Sequence, residues 1–205
     1  MSPGLFVGRD AELRTIRKDL HPSSQGGQRK QQQQQRLAIG GIGGVGKTQI
    51  ALTYAQTPHA SYETVLWFNA ATEISLKNSF ATAAGLIFGS RVSQSLEGNE
   101  AVRRTREWLS DPDNSKWLLI FDNYDNPSDF KLDSYYPPAA HGAIIITTRQ
   151  ADQVTGRTAL LNIKPFQSVD NSLTILQTRS KRGNLVSGKN YICLSFTLLL
   201  SACSI

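Results

Sequence analysis

The sequence predicts a three-layer α/β fold with a mostly parallel sheet, and three observations predict it. First, Trp117-Leu118-Leu119-Ile120-Phe121 and Ala143-Ile144-Ile145-Ile146-Thr147 are continuous apolar runs. Strands with one wet face alternate apolar and polar residues, so unbroken runs mark strands covered on both faces. Second, such runs alternate with segments of helical periodicity, the order that builds a parallel sheet between two helical layers. Third, a glycine-rich segment, Gly41-Ile42-Gly43-Gly44-Val45-Gly46-Lys47-Thr48, joins a short strand to a helix.

Taken in order, Asp10 to Leu20 reads as an amphipathic helix, with Leu13, Ile16 and Leu20 at i, i+3 and i+7. Pro22 to Lys30 and the five glutamines Gln31–Gln35 bury too little apolar surface to offset their ordering entropy, so 22–35 is expected to be a Gln-rich spacer loop. Leu37 to Gly40 reads as a buried strand, and Thr48 to Ala55 opens a helix. Thr64 to Asn69 is rich in β-formers. Ser75 to Phe88 has a helical pattern, as does Asn99 to Leu109, where Val102, Thr105, Trp108 and Leu109 fall on one side. Arg103, Arg104 and Arg106 of that helix read as its solvated face. Thr158 to Ile163 would be a last strand, and Ser168 caps a helix carrying Val169, Leu173 and Leu176.

Bulk properties narrow the function. A chain of 205 residues, 40% hydrophobic, can bury one ordinary domain core. The net charge of +6 hints at nucleic acid, but its distribution argues against that partner. Arg179, Lys181, Arg182 and Lys189 lie in a tail without an acid, leaving 18 basic against 16 acidic side chains in residues 1–178. Both cysteines, Cys193 and Cys203, also lie in the tail, so the core has no disulfide framework or zinc site. Met1-Ser2-Pro3-Gly4 lacks the pattern of a signal peptide, and a cytoplasmic location is expected by default. Tyr191 to Ile205 is apolar but too short for a bilayer, which needs about 20 residues, so 179–205 is read as a tail with no domain assigned and no membrane partner.

The chemistry begins at the glycine-rich loop. Gly41 to Thr48 is a complete GxxxxGK(S/T) phosphate-binding pattern. A strand, a tight turn and a helix N-terminus aim backbone N–H groups and a helix dipole at one spot, which suits a polyphosphate. Gly41, Gly43, Gly44 and Gly46 allow close approach of the backbone. Lys47 would reach the β- and γ-phosphates, and the Thr48 hydroxyl would be a Mg²⁺ ligand. Asp122 ends an apolar strand where ligands of open α/β sheets bind, and would hold the same ion. A general base commonly follows such an acid, but Asn123 is an amide and cannot take a proton from water at neutral pH. Asp125 could serve only if the turn places it correctly. Arg149, closing the run Ile144-Ile145-Ile146-Thr147-Thr148, offers a permanently charged fork suited to phosphate.

Four segments in this order, Phe6-Val7-Gly8-Arg9-Asp10-Ala11-Glu12-Leu13, Gly40 to Thr48, Leu118 to Asp125 and Ile144 to Arg149, resemble the NB-ARC domain. That domain is the nucleotide switch of the STAND class of P-loop NTPases, and Phe-Asp-Asn after an apolar run is similar to its filamentous-fungal variants. The resemblance covers residues 5–178 and implies the following roles. Val7, Gly8 and Arg9 match the stretch that lines adenine and ribose. Gly41, Gly43, Gly44, Val45, Gly46, Lys47 and Thr48 match the phosphate and Mg²⁺ site, Asp122 the metal acid, and Arg149 the sensor that separates ATP from ADP. Leu161 to Leu176, including Pro165, resembles the closing strand and helix. The helical and winged-helix subdomains that follow in the family have no counterpart here, which implies a truncated domain.

The function expected is therefore ADP/ATP binding with Mg²⁺ by a signalling switch, with an implied role in defence or cell death and homo-oligomerisation in a full-length relative. At most a slow ATPase is expected. The alternative is an enzyme proper, a P-loop kinase or ATPase whose product is phosphoryl transfer. A kinase would need an arginine-rich lid, and a GTPase an Asn-Lys-x-Asp motif, and neither occurs.

Overall fold

A computed structural model describes residues 8–20, 33–57, 62–89, 98–154 and 156–165. Within them the chain runs α1 (Asp10–Leu20), β1 (Gln35–Gly40), α2 (Lys47–Ala55), β2 (Thr64–Asn69), α3 (Glu73–Phe88), α4 (Gly98–Ser110), β3 (Trp117–Asp122), β4 (Ala143–Thr148) and β5 (Ala159–Asn162). Among the described residues the strands form one five-stranded parallel sheet in the order β2-β3-β4-β1-β5. Every residue of β3 and β4 is buried, as their unbroken apolar runs predict.

The pleat divides the side chains between two cores, because successive residues of a strand face opposite ways. Trp117, Leu119 and Phe121 of β3, with Ile144 and Ile146 of β4, pack against Leu76 and Phe80 of α3 and Val102 and Leu109 of α4. Leu118 and Ile120, with Ala143 and Ile145, face the other way, onto Ile16 and Leu20 of α1 and Ile50, Ala51 and Tyr54 of α2. Helices on both faces of a parallel sheet make the three layers expected. The parity also decides the chemistry, since it turns Asp122 and Thr147 toward the α2 side.

Helix boundaries follow local chemistry. Thr72 caps α3 in a reciprocal box: its side chain accepts from the Ser75 N–H at 3.1 Å, while the Ser75 hydroxyl accepts from the Thr72 N–H at 3.0 Å. This starts α3 at Glu73, two residues before the apolar periodicity suggests. The arginines of α4 largely behave as a solvated face. Arg103 and Arg104 pair with Glu100, holding its carboxyl at about 2, well below the usual carboxylate range, and Arg103 also pairs with Glu107. Arg106 instead donates to the Tyr136 carbonyl at 2.9 Å.

One boundary is corrected. The spacer expected over 22–35 ends earlier, because Gln35 is the first residue of β1, paired opposite Ala143. Gln34 donates its amide to the carbonyls of Pro137 (3.0 Å) and Ala139 (3.4 Å). Main-chain pairing is indifferent to side-chain polarity, so a glutamine run can enter a strand where its neighbour offers partners. The helix expected from Ser168 and the 179–205 tail lie outside the described residues, as does Val7.

Candidate phosphate and metal site

The site is built at the C-terminal ends of the strands. The register aligns Gly40 of β1 with Thr148 of β4 and Asn162 of β5, so the Gly41–Thr48 loop leaves the sheet beside the ends of both neighbours. Two glycines are required by its path. Gly41 has φ +145°, and a Cβ there would lie 2.6 Å from the Ile163 carbonyl oxygen. Gly46, the N-cap of α2, has φ +99° with open space around it, so backbone conformation alone selects glycine. Lys47 is the first residue of α2, whose leading N–H groups lack partners within the helix.

Lys47 folds over its own loop. Its ammonium donates to the carbonyls of Gly41 (2.7 Å) and Ile42 (3.0 Å). Partial burial lowers its pKa from the ordinary lysine value; the field of Arg149 acts in the same direction, and Asp125 and Asp122 oppose it. These four charged groups therefore sit within electrostatic reach around one loop.

Asp122 is buried on the α2 side and gathers two hydroxyls on one oxygen. Thr48 donates to Asp122 Oδ1 at 2.9 Å and Thr147 donates to the same oxygen at 2.5 Å. The Thr147 hydroxyl in turn accepts the Asn123 N–H at 3.0 Å. A carboxylate and a hydroxyl converging beside a phosphate loop are hard oxygen donors of the kind Mg²⁺ takes, usually with phosphates and waters completing the shell. Among the described residues no group of three or more His, Cys, Asp or Glu side chains gathers to hold a metal alone. Thr147 is a site residue that the sequence reading missed. Its signal was a polar side chain at the end of an otherwise apolar run, on the same pleat parity as Asp122.

The ends of β3 and β4 are tied together. Asn123 has φ +64°, the left-handed conformation that asparagine tolerates better than most residues, and this turns the chain after Asp122. The Tyr124 N–H reaches the Thr147 carbonyl at 2.9 Å. Asp125 then accepts the Arg149 backbone N–H on Oδ1 at 2.7 Å and pairs with the Arg149 Nε through Oδ2 at 2.9 Å. The Arg149 guanidinium lies against Gly43, where an added Cβ would sit 3.6 Å from Cζ. Arg149 is thus brought to the phosphate loop, and Asp125 is brought to Arg149.

Arg9 meets the loop at Val45. Its buried guanidinium donates to the carbonyls of Val45 (3.3 Å) and Lys164 (2.9 Å) and to Glu12 (2.8 Å), joining α1, the loop and the segment after β5. Gly8 beside it is exposed.

A five-stranded parallel sheet flanked by helices, with this loop between β1 and α2, is a P-loop NTPase fold. Comparison with solved structures agrees. The chain aligns over 96% of its length with 28% of a Signal Transduction ATPase with Numerous Domains (STAND) protein with a tetratricopeptide repeat sensor from Pyrococcus horikoshii, at 19% identity and TM-score 0.51. It aligns over 88% of its length with 52% of Cdc6p from Pyrobaculum aerophilum, at 17% identity and TM-score 0.52. At these identities the likeness is one of fold. In sequence, the chain is 26% identical over 193 residues to a nucleotide-binding leucine-rich repeat (NLR)-like protein of Hyaloscypha variabilis, covering 84% of the chain and 18% of that relative. It thus spans under a fifth of the relative's length. No protein-family profile matches the chain. An NLR-like relative together with P-loop ATPase folds is what an NB-ARC-like domain should resemble, and the resemblance drawn from the four motifs stands. No helix among the described residues is long and apolar enough to cross a membrane.

Proposed function

We propose that the chain binds an adenine nucleotide, ADP or ATP with Mg²⁺, as the nucleotide subdomain of an NB-ARC-type switch. The observation that carries this is the convergence on one loop of Lys47, the Thr48–Asp122–Thr147 cluster and Arg149. Lys47 now satisfies its ammonium on carbonyls of the loop, a weak substitute for phosphate oxygens, and a bound polyphosphate would favour its charged form. Thr48 and Asp122 would hold Mg²⁺, which would neutralise phosphate charge. Arg9 secures the loop at Val45, and the base and ribose are proposed to lie beside Gly8 and Arg9; Val7, outside the described residues, is assigned to the same role by resemblance alone. Hydrolysis is at most slow. The residue after Asp122 is the amide Asn123, which cannot take a proton from water at neutral pH. The likeness to an NLR-like protein supports a signalling role in defence or cell death, exercised by nucleotide-controlled association within a longer protein.

Calorimetric titration of the chain with ADP, ATP and GTP in the presence of Mg²⁺ tests the reading. Adenine nucleotides should bind more tightly than GTP by at least ~1.4 kcal/mol, a tenfold preference. Equal affinity for GTP and ADP would remove the NB-ARC assignment, and no binding of any nucleotide would remove the function.

A further inference from the structure

Besides Arg9, the cations Lys47 and Arg149 and the carboxylates Asp122 and Asp125 lie about the phosphate loop, and of these two carboxylates only Asp122 is placed to meet a metal. Asp122 points at Thr48, whereas Asp125 is turned to Arg149, which it holds at two points, the backbone N–H and the side-chain Nε. The Asp125 backbone is fixed in its own right, since its carbonyl accepts the Gln150 side-chain amide at 2.8 Å and its N–H reaches the Asn123 carbonyl at 2.9 Å. The carboxylate is therefore a fixed acceptor. The arginine is the more exposed member, with a side chain 65% exposed against 26% for Asp125, and so has the more room to change partner. The guanidinium already lies against Gly43 of the loop, so a small swing moves it from carboxylate to phosphate.

From this geometry we infer that Asp125 is a positioning residue whose carboxylate competes with the terminal phosphate for Arg149 and so sets how strongly the site prefers triphosphate to diphosphate. The inference rests on the nucleotide-binding reading above and adds a regulator to it. Energetics favour such a contest over a permanent lock. A solvent-exposed ion pair holds its partner only a few-fold, roughly two- to fivefold. An arginine–phosphate contact made inside a loop of aligned N–H groups is charge-assisted and stronger, so a triphosphate that reaches Arg149 can displace Asp125. A diphosphate, one group shorter, leaves the pair in place. Asp125 thereby weakens ATP selectively and keeps Arg149 oriented when no third phosphate is present.

The test compares the ratio of ADP to AMP-PNP dissociation constants for the 205-residue chain and its variants. Asp125→Asn keeps an acceptor for the Arg149 backbone N–H and removes both the charge and the second oxygen that faces the Arg149 Nε. It should shift the ratio toward the triphosphate by roughly two- to fivefold. In an Arg149→Gln background the same substitution should shift it by nothing. An equal shift in both backgrounds would overturn the inference, because Asp125 would then act on the nucleotide directly, and so would an unmoved ratio in the single variant. A measurement on the unaltered chain covers the case in which Asp125→Asn does not fold. The ¹⁵Nε resonance of Arg149 should keep its position on adding ADP and move on adding AMP-PNP; equal movement with both would overturn the proposal. Failure of the wild-type chain to bind either nucleotide would instead strike the function proposed above, which Lys47→Ala probes independently.

Discussion

The two faces of the sheet are built from the same strands and made of different materials. On the α3/α4 face, aromatic rings dominate. Phe68 stacks on Phe80 and Phe121 with centroids 4.3 and 5.2 Å apart, Tyr135 touches Phe80 and Phe130, and Tyr136 touches Phe121. On the α1/α2 face the packing is largely aliphatic, and it gives way at the strand ends to Asp122 and Thr147. The difference teaches where each task is carried. Large rings bury much area and fix one geometry, which suits a face that serves as scaffold. The other face supports the loop helix with small and branched side chains and leaves its polar end groups to the site. Stability and binding should therefore be separable by mutation.

The largest effect should come from the aromatic face. Phe68→Ala empties the centre of the ring stack and should cost about 3–5 kcal/mol in denaturant unfolding, while nucleotide affinity per folded molecule stays unchanged. A loss of affinity with intact folding would break the division. Next in size, Lys47→Ala should weaken ADP binding by about 1.5–3 kcal/mol and leave the melting temperature nearly unmoved, because its contacts are to its own loop. An unfolded apo protein would show that the loop is part of the scaffold. The smallest effect sharpens the boundary between the faces. Asn123→Val forces a β-branched residue into φ +64° and should cost about 1–2 kcal/mol of stability, readable by thermal melting, placing the strain at the site end of β3.

Much of this was legible in the sequence, for identifiable reasons. β3 and β4 announced themselves because strands buried on both faces need apolar residues at every position. The phosphate loop was legible because glycine is demanded by backbone path, as at Gly41 and Gly46, and that demand is local. Strand order was not legible, since an apolar run does not say which strand lies beside it. With β4 seated between β1 and β3, Thr147 falls beside Asp122 and Arg149 falls between the loop and Asp125. The Asp125–Arg149 pair joins residues 24 positions apart and exists only through that adjacency. The connection from Asn123 to Gly142 was likewise silent. Its Tyr124, Phe130, Leu132, Tyr135 and Tyr136 show no period of two or 3.6, yet all are buried in the aromatic core.

The glutamine run carries a built-in tolerance to changes in its own length. Gln33, Gln34 and Gln35 each have a distinct job: Gln33 receives Arg157, Gln34 binds the Pro137 and Ala139 carbonyls and accepts from Arg36, and Gln35 opens β1. Because Gln31 and Gln32 upstream are the same residue, inserting a glutamine, or deleting one or two, would still supply identical side chains to all three posts, whereas deleting three would bring Lys30 into the first of them.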